Sequence, residues 1–108
     1  MHVALEISVY DAQAQLSQES AKPILLDVRE PMEIRLCRID GAIHIPLRQL
    51  EHSLEALPRD ENFLIYCHHG RRSLLAANYL MNKGFKAKSI MGGIDAWADQ
   101  IDPSLRRY

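Results

Sequence analysis

The stretch 63–73 concentrates the side chains of this sequence that are suited to chemistry. An apolar run ends on Cys67, and a turn of polar and basic residues follows it: His68, His69, Gly70, Arg71, Arg72 and Ser73. A thiol between a strand and the first turn of a helix lies where backbone N–H groups and the positive end of the helix dipole converge. Such surroundings hold negative charge on sulfur or on an anionic substrate. We therefore interpret this turn as an active-site loop with Cys67 as its nucleophile.

The glycine and the two arginines of the loop fit this interpretation, although each also has a plainer explanation. Gly70 lets the backbone bend so that successive N–H groups point inward, as in anion-binding nests, and it would serve equally in an ordinary turn. Arg71 and Arg72 would attract an anionic substrate, although an exposed Arg71 fits the sequence as well. Arg72 would alternatively pair with Asp27 or Glu30 and brace the loop.

The two histidines of the loop are open to more than one interpretation. His68 and His69 would set the charge of the pocket or hydrogen-bond to a substrate, and we expect at least one of them to lean into solvent. A metal site that combines them with Cys67 is disfavoured, because metal ligands normally converge from separated segments. We expect neither a metal nor an organic cofactor.

The second cysteine of the chain carries less information than the first. The sequence contains Cys37 and Cys67 and no CxxC pair, which argues against a thioredoxin-type dithiol. A structural disulfide is not expected in a reducing compartment. Cys37 would act as a resolving thiol only if it reached the loop, and we favour a partly buried spectator.

Length and composition limit the range of functions. The chain has 108 residues, which we interpret as one domain over 1–108, with a core over about 7–101 and an irregular tail over 102–108. The net charge of -1 gives no support for nucleic acid or an anionic membrane as a partner. No signal peptide or membrane span is apparent, so we expect a cytoplasmic protein, and we expect a monomer.

Short apolar runs alternate with helical patterns, which predicts an α/β domain with a mostly parallel sheet. Leucines 47, 50, 54 and 57 fall on one helical stripe, and Met32 and Leu36 on another. The predicted strands cover 3–7, 23–28, the segment after the turn at 41–46, 62–66 and 87–91. The predicted helices cover 9–17, a short segment from Pro31, 47–57, about 73–83 and 94–98.

Three charged residues lie at the carboxyl end of the second predicted strand, where open α/β sheets place their ligands. They are Asp27, Arg29 and Glu30. We interpret them as support for the loop through charged hydrogen bonds rather than as catalysts. The one tryptophan, Trp97, is expected to pack in the core or at its rim.

Four motifs occur in one order: Asp27-Val28-Arg29-Glu30, the turn 41–46, the loop 67–73, and Gly92-Gly93 followed by Ala96-Trp97. This arrangement resembles the single-domain rhodanese (thiosulfate sulfurtransferase) family over about 7–101. The resemblance implies a three-layer fold, with a five-stranded, mainly parallel sheet flanked by helices on both faces. One departure is visible, because Cys37-Arg38 occupies positions where the family often has Gly-His.

The resemblance also implies an activity. Cys67 would take a sulfane sulfur from a small anionic donor such as thiosulfate, hold it as a persulfide, and pass it to cyanide or a thiol. The same chemistry would serve a relay that delivers sulfur to a partner protein. A non-catalytic binding module is disfavoured because the loop cysteine is present. Phosphatases of this fold use C-x5-R, whereas Arg72 comes one residue sooner, so we expect a cradle suited to one sulfur atom.

Overall fold

The computed structural model describes residues 4–108, which form a five-stranded, all-parallel sheet with helices on both faces. The spatial order is β1-β5-β4-β2-β3. The predicted α/β fold with a five-stranded parallel sheet is confirmed, and Val3, the predicted start of the first strand, lies outside the described residues. The strands are β1 (Glu6–Ile7), β2 (Ile24–Asp27), β3 (Ile43–His44), β4 (Asn62–Tyr66) and β5 (Lys86–Ile90).

Four α-helices follow β1, β2, β4 and β5 along the chain. Two of them begin as the sequence predicts: the Ser8 side chain accepts a hydrogen bond from the Asp11 N–H (3.1 Å) as the N-cap of the first helix, and Pro31 is the first residue of the second. The helices are α1 (Val9–Leu16), α2 (Pro31–Leu36), α3 (Arg71–Asn82) and α4 (Gly93–Gln100).

The core lies on both faces of the sheet, because successive strand residues point to opposite sides. On one face, Phe63 and Ile65 of β4 pack with α3. On the other, Leu64 and Tyr66 pack with residues of α1 and α4, including the buried Trp97, as predicted for that residue. Small residues on the inner side of α3 allow the helix to lie close to the sheet. Ser73, Ala76 and Ala77 are fully buried, and so is the larger Leu80.

The predicted helix over 47–57 is wrong in type, although its burial pattern is right. Two 3₁₀ helices occupy this stretch, Leu47–His52 and Leu54–Ala56, and they meet at Ser53. Leu50 and Leu57 are buried. Within each turn the leucines are three residues apart, which suits the three residues per turn of a 3₁₀ helix better than a continuous α-helix.

The predicted apolar stripe of α2 is also wrong. Met32 is 74% exposed, and α2 has no fully buried residue. The helix instead turns Glu33 toward Arg72 and Tyr108, where this side chain is largely covered. This six-residue helix thus presents a charge inward, where periodicity had predicted an apolar contact.

The carboxyl ends of the strands meet at one edge of the sheet, as they must when all strands are parallel. The loops after β2, β4 and β5 all lie at this edge. The tail over 102–108 is irregular in conformation, as predicted, yet Leu105 packs against the core and Tyr108 returns to the loops at this edge. Within residues 4–108, no helix combines the length and apolar character that crossing a membrane would require.

Candidate active site

The sulfur of Cys67 lies at the carboxyl end of β4, directly before the loop. Cys67 is 1% exposed, and its Sγ accepts hydrogen bonds from the N–H groups of Gly70 (3.1 Å) and Ser73 (3.3 Å). Gly70 has a φ of +100°, in the left-handed region that favours glycine, and immediately precedes α3. The loop therefore turns its N–H groups and the positive end of a twelve-residue helix toward the sulfur.

Two serine hydroxyls complete the buried side of the loop. The Ser73 hydroxyl lies 3.4 Å from Sγ and is hydrogen-bonded to the Ser89 hydroxyl at 2.7 Å. Both serines are fully buried. Ser73 was among the predicted loop residues, whereas Ser89 of β5 was not recognised; its only signal was its place two residues after Ala87, on the buried side of an alternating strand.

The N-terminus of α4 holds the carbonyl groups of the loop. The Ile94 N–H donates to the Cys67 carbonyl (2.8 Å), and the Asp95 N–H donates to the His68 carbonyl (3.1 Å). Only a glycine fits at position 93, because a Cβ there would lie under 3.0 Å from both of these carbonyl groups. The glycine pair at the start of α4 thus allows a helix end to fix the two peptide planes that follow Cys67.

Arg72 closes the loop through an ion pair that the sequence analysis did not identify. Its guanidinium donates two hydrogen bonds to Glu33, at 2.6 and 2.9 Å, so the predicted pairing with Asp27 or Glu30 is wrong. The hydrogen bond from Arg72 lowers the pKa of Glu33 to about 2, against the opposing effect of burial. The Glu30 N–H also donates to Glu33 (3.1 Å), which orients the carboxylate at the start of α2.

The three predicted support residues make no direct hydrogen bond to the loop in the described part of the chain. Asp27 and Arg29 form a buried ion pair (2.8 Å), and Arg29 also donates to the Cys37 carbonyl. Burial opposes the charge on Arg29, but the hydrogen bonds to its acceptors prevail and raise its pKa above the ordinary value. Glu30 instead pairs with Arg48 (3.1 Å) at the surface.

Tyr108 connects the Asp27–Arg29 pair to the loop. Its hydroxyl accepts a hydrogen bond from Arg29 Nη1 (2.8 Å) and donates one to Glu33 Oε2 (2.7 Å). Its ring stacks on His68, with ring centres 3.8 Å apart and 7° between the planes. No periodicity or local motif in the irregular tail pointed to this residue.

The two loop histidines have different surroundings. His68 is half-buried, its Nε2 has no hydrogen-bond partner, and burial followed by the neighbouring His69 lowers its pKa. His69 is 64% exposed and lies 3.9 Å from Asp95. Ligand atoms of these three residues lie within 4.8 Å of one another. The two histidine rings are tilted by 31°, with their centres 3.8 Å apart.

Several known proteins are similar to this chain. Thiosulfate sulfurtransferase GlpE of Vibrio cholerae is 36% identical over 86% of this chain and 87% of its own length. The crystal structure of reduced Bacillus anthracis CoADR-RHD superposes with a TM-score of 0.84 at 31% identity, covering 94% of this chain and only 18% of that chain. A rhodanese-related protein from Thermoplasma volcanium superposes with a TM-score of 0.81 at 30% identity, covering 89% of this chain and 92% of that chain.

Further relatives also carry sulfurtransferase names, and together they support sulfurtransferase activity as the general class. The family model described as a rhodanese-like domain matches residues 8–100, which include the whole loop and both helices that begin beside it. The chain therefore belongs to the rhodanese-like domain family.

Proposed function

We propose that this protein is a sulfurtransferase that moves a sulfane sulfur from thiosulfate, or a related anionic donor, to cyanide or a thiol. The observation that carries the proposal is the position of the Cys67 sulfur beside the N-terminus of α3. There it accepts hydrogen bonds from two loop N–H groups. N–H groups and a helix N-terminus stabilise negative charge on a neighbouring atom, and the thiolate is the reactive form in sulfur transfer. This arrangement would also hold the negative charge of a persulfide.

The first half-reaction is a displacement at sulfur. The Cys67 thiolate attacks the outer sulfur of thiosulfate, a new S–S bond forms to Sγ, and the original S–S bond breaks. Its electron pair leaves with sulfite. The positive end of α3 and the exposed side chain of Arg71 favour the approach of a dianion.

The second half-reaction returns the enzyme to its starting state. Cyanide or an acceptor thiolate attacks the outer sulfur of the persulfide and leaves as thiocyanate or as a new persulfide. The S–S bond to Cys67 breaks, and its electron pair restores the thiolate. No redox partner is needed, because the sulfane sulfur moves between nucleophiles without a net change of electrons.

The short loop favours sulfur transfer over phosphate chemistry. Gly70 and Ser73 already direct their N–H groups to Sγ, and the Arg72 guanidinium is engaged by both oxygens of Glu33. A phosphoryl group would need those donors for its own oxygens. We therefore expect no turnover of a generic aryl phosphate that depends on Cys67.

The test is an intact-mass measurement after incubation with thiosulfate, followed by digestion. We expect a gain of about 32 Da on the Cys67 peptide, which cyanide or a reductant removes. Cys37→Ser is the matched control and should gain the same mass, whereas Cys67→Ser should gain none. No gain from thiosulfate, 3-mercaptopyruvate or a persulfide donor would overturn the proposal.

A further inference from the structure

Tyr108 lies between two ion pairs that would otherwise be separate. The inner pair, Asp27–Arg29, is fully buried, and the outer pair, Glu33–Arg72, is partly buried beside the loop. The Tyr108 hydroxyl accepts from Arg29 and donates to Glu33, and both distances are short. Each hydrogen bond involves a charged partner, which places it among the stronger kinds. The hydroxyl thus links the inner pair to the carboxylate that holds Arg72.

The ring of Tyr108 makes a second, independent contact with the loop. It stacks in parallel on His68, the residue that directly follows Cys67. The neighbouring Arg107 pairs with Asp95 (3.0 Å) and Asp99 (3.3 Å) of α4, which fixes the tail beside the loop. As a result, Tyr108 itself is only 36% exposed.

These contacts hold the loop near both of its ends. His68 lies one residue after the sulfur-bearing cysteine and is held directly by the ring. Arg72 lies at the start of α3 and is held through Glu33, which the Tyr108 hydroxyl orients. Between these two points lies Gly70, one of the N–H donors to Sγ, and Ser73, the other, follows directly.

We propose that Tyr108 is a positioning residue of the active-site loop, which keeps the loop N–H groups directed at the Cys67 sulfur through its ring on His68 and its hydroxyl on Glu33. The inference rests on the proposed function and deepens it. It assigns to the tail the task of keeping the loop ordered around the Cys67 sulfur. Tyr108 touches neither the sulfur nor, in the proposed reaction, the substrate.

The consequence is a change in the reactivity of the sulfur. If the loop loosens, its N–H groups point less accurately at Sγ and hold negative charge there less well. Alkylation of Cys67 at a fixed pH should therefore slow when Tyr108 is truncated.

The experiment measures the rate constant of iodoacetamide modification of the Cys67 peptide in the full chain at one fixed pH. We expect Tyr108→Ala to lower this rate constant about tenfold, as the loop donors move away from Sγ. Tyr108→Phe keeps the ring on His68 and removes only the hydroxyl link, so a loss of about threefold is expected. Tyr10→Ala, which removes an exposed tyrosine of α1 outside these contacts, should leave the rate constant unchanged.

Two further outcomes are decisive. A folded Tyr108→Ala protein with the wild-type rate constant would overturn the proposal, and if that variant does not fold, an unchanged rate constant in Tyr108→Phe overturns the hydroxyl link. A fall in melting temperature with unchanged or faster alkylation would identify a merely structural role and overturn the proposal. Because alkylation requires no sulfur donor, this result is independent of whether thiosulfate forms a persulfide on Cys67.

Discussion

The two sides of the Cys67 loop are held by different kinds of interaction. The inner side, toward β5 and the first peptide groups of α4, holds the loop through neutral groups: backbone N–H groups and the fully buried hydroxyls of Ser73 and Ser89. The outer side, toward α2 and the tail, is charged and partly exposed: the side chains of Arg72 and Glu33 are 34% and 15% exposed. The sulfur thus lies between a neutral side and an ionic one.

This difference predicts how each side responds to its surroundings. Buried neutral hydrogen bonds depend on geometry, and leaving one partner unsatisfied costs roughly 1–3 kcal/mol. A partly exposed ion pair contributes less, and it weakens with salt and with protonation of the carboxylate. We expect mutations on the inner side to disrupt the loop by distortion, and those on the outer side to act through charge.

The largest effect is expected from Gly93→Ala on the inner side. Gly93 has a φ of +63°, and a Cβ would overlap the carbonyl groups of Cys67 and His68. Because the loop must shift to make room, sulfur transfer should fall by about a hundredfold or more, as small misplacements of reacting groups can cause. The measurement is kcat/KM for thiosulfate and cyanide, with circular dichroism to confirm folding.

Gly41→Ala is the matched control for backbone strain. Gly41 also has a positive φ, +87°, but a Cβ there would meet nothing within 4 Å. Gly41→Ala should lower the free energy of unfolding by about 1–2 kcal/mol through backbone strain. Its rate of sulfur transfer should stay at the wild-type value. Equal losses of rate in the two variants would contradict the idea that contact with the loop carbonyls is what matters at position 93.

On the outer side, Arg72→Ala should slow sulfur transfer by roughly tenfold, because it removes a positive charge near the sulfur and leaves Glu33 without its main partner. Arg71→Ala, which removes an exposed arginine of the same loop, should change the rate by less than about threefold. The rates are compared at low and high salt. Unchanged kinetics in a folded Arg72→Ala protein would rule out a role for this arginine.

The smallest effect concerns acid stability. Since Arg72 lowers the pKa of Glu33 from an ordinary 4.5 to about 2, the charged carboxylate stabilises the folded protein above pH 4.5. That contribution is lost as the pH falls from about 4.5 to about 2. The full shift corresponds to about 3 kcal/mol, and we expect about 1–2 kcal/mol because Arg72 is one-third exposed.

Urea unfolding between pH 2.5 and 7 measures this contribution. Glu33→Gln should be less stable than the wild type at pH 7 and should lose less stability on acidification. Glu30→Gln, which alters a surface pair with Arg48, is the control and should keep the wild-type slope. An identical acid slope in wild type and Glu33→Gln would show that the ion pair contributes nothing to stability.

Local patterns predicted most of the fold. Apolar runs, N-caps and glycines depend on near neighbours, so β4, the loop, the start of α2 and the family were recognisable from the residues alone. The errors arose in two segments, 31–36 and 47–57, where residue spacing alone did not decide the structure. In α2 it is Glu33 that turns inward, to Arg72 and Tyr108, while Met32 is exposed. The leucines of 47–57 form 3₁₀ turns whose spacing of three resembles an α-helical stripe.

The sequence by itself determined the candidate active-site loop of this protein: a cysteine at a strand end, a glycine that permits the turn, and a helix that begins beside it. Only the tertiary structure decided what braces that loop. Arg72 meets Glu33 across 39 positions of the chain, and Tyr108 meets Glu33 across 75. Such partners lie on different elements, α2, α3 and the tail. They come into contact only because of how the strands and helices pack. The local spacing of residue types in the sequence does not predict such contacts.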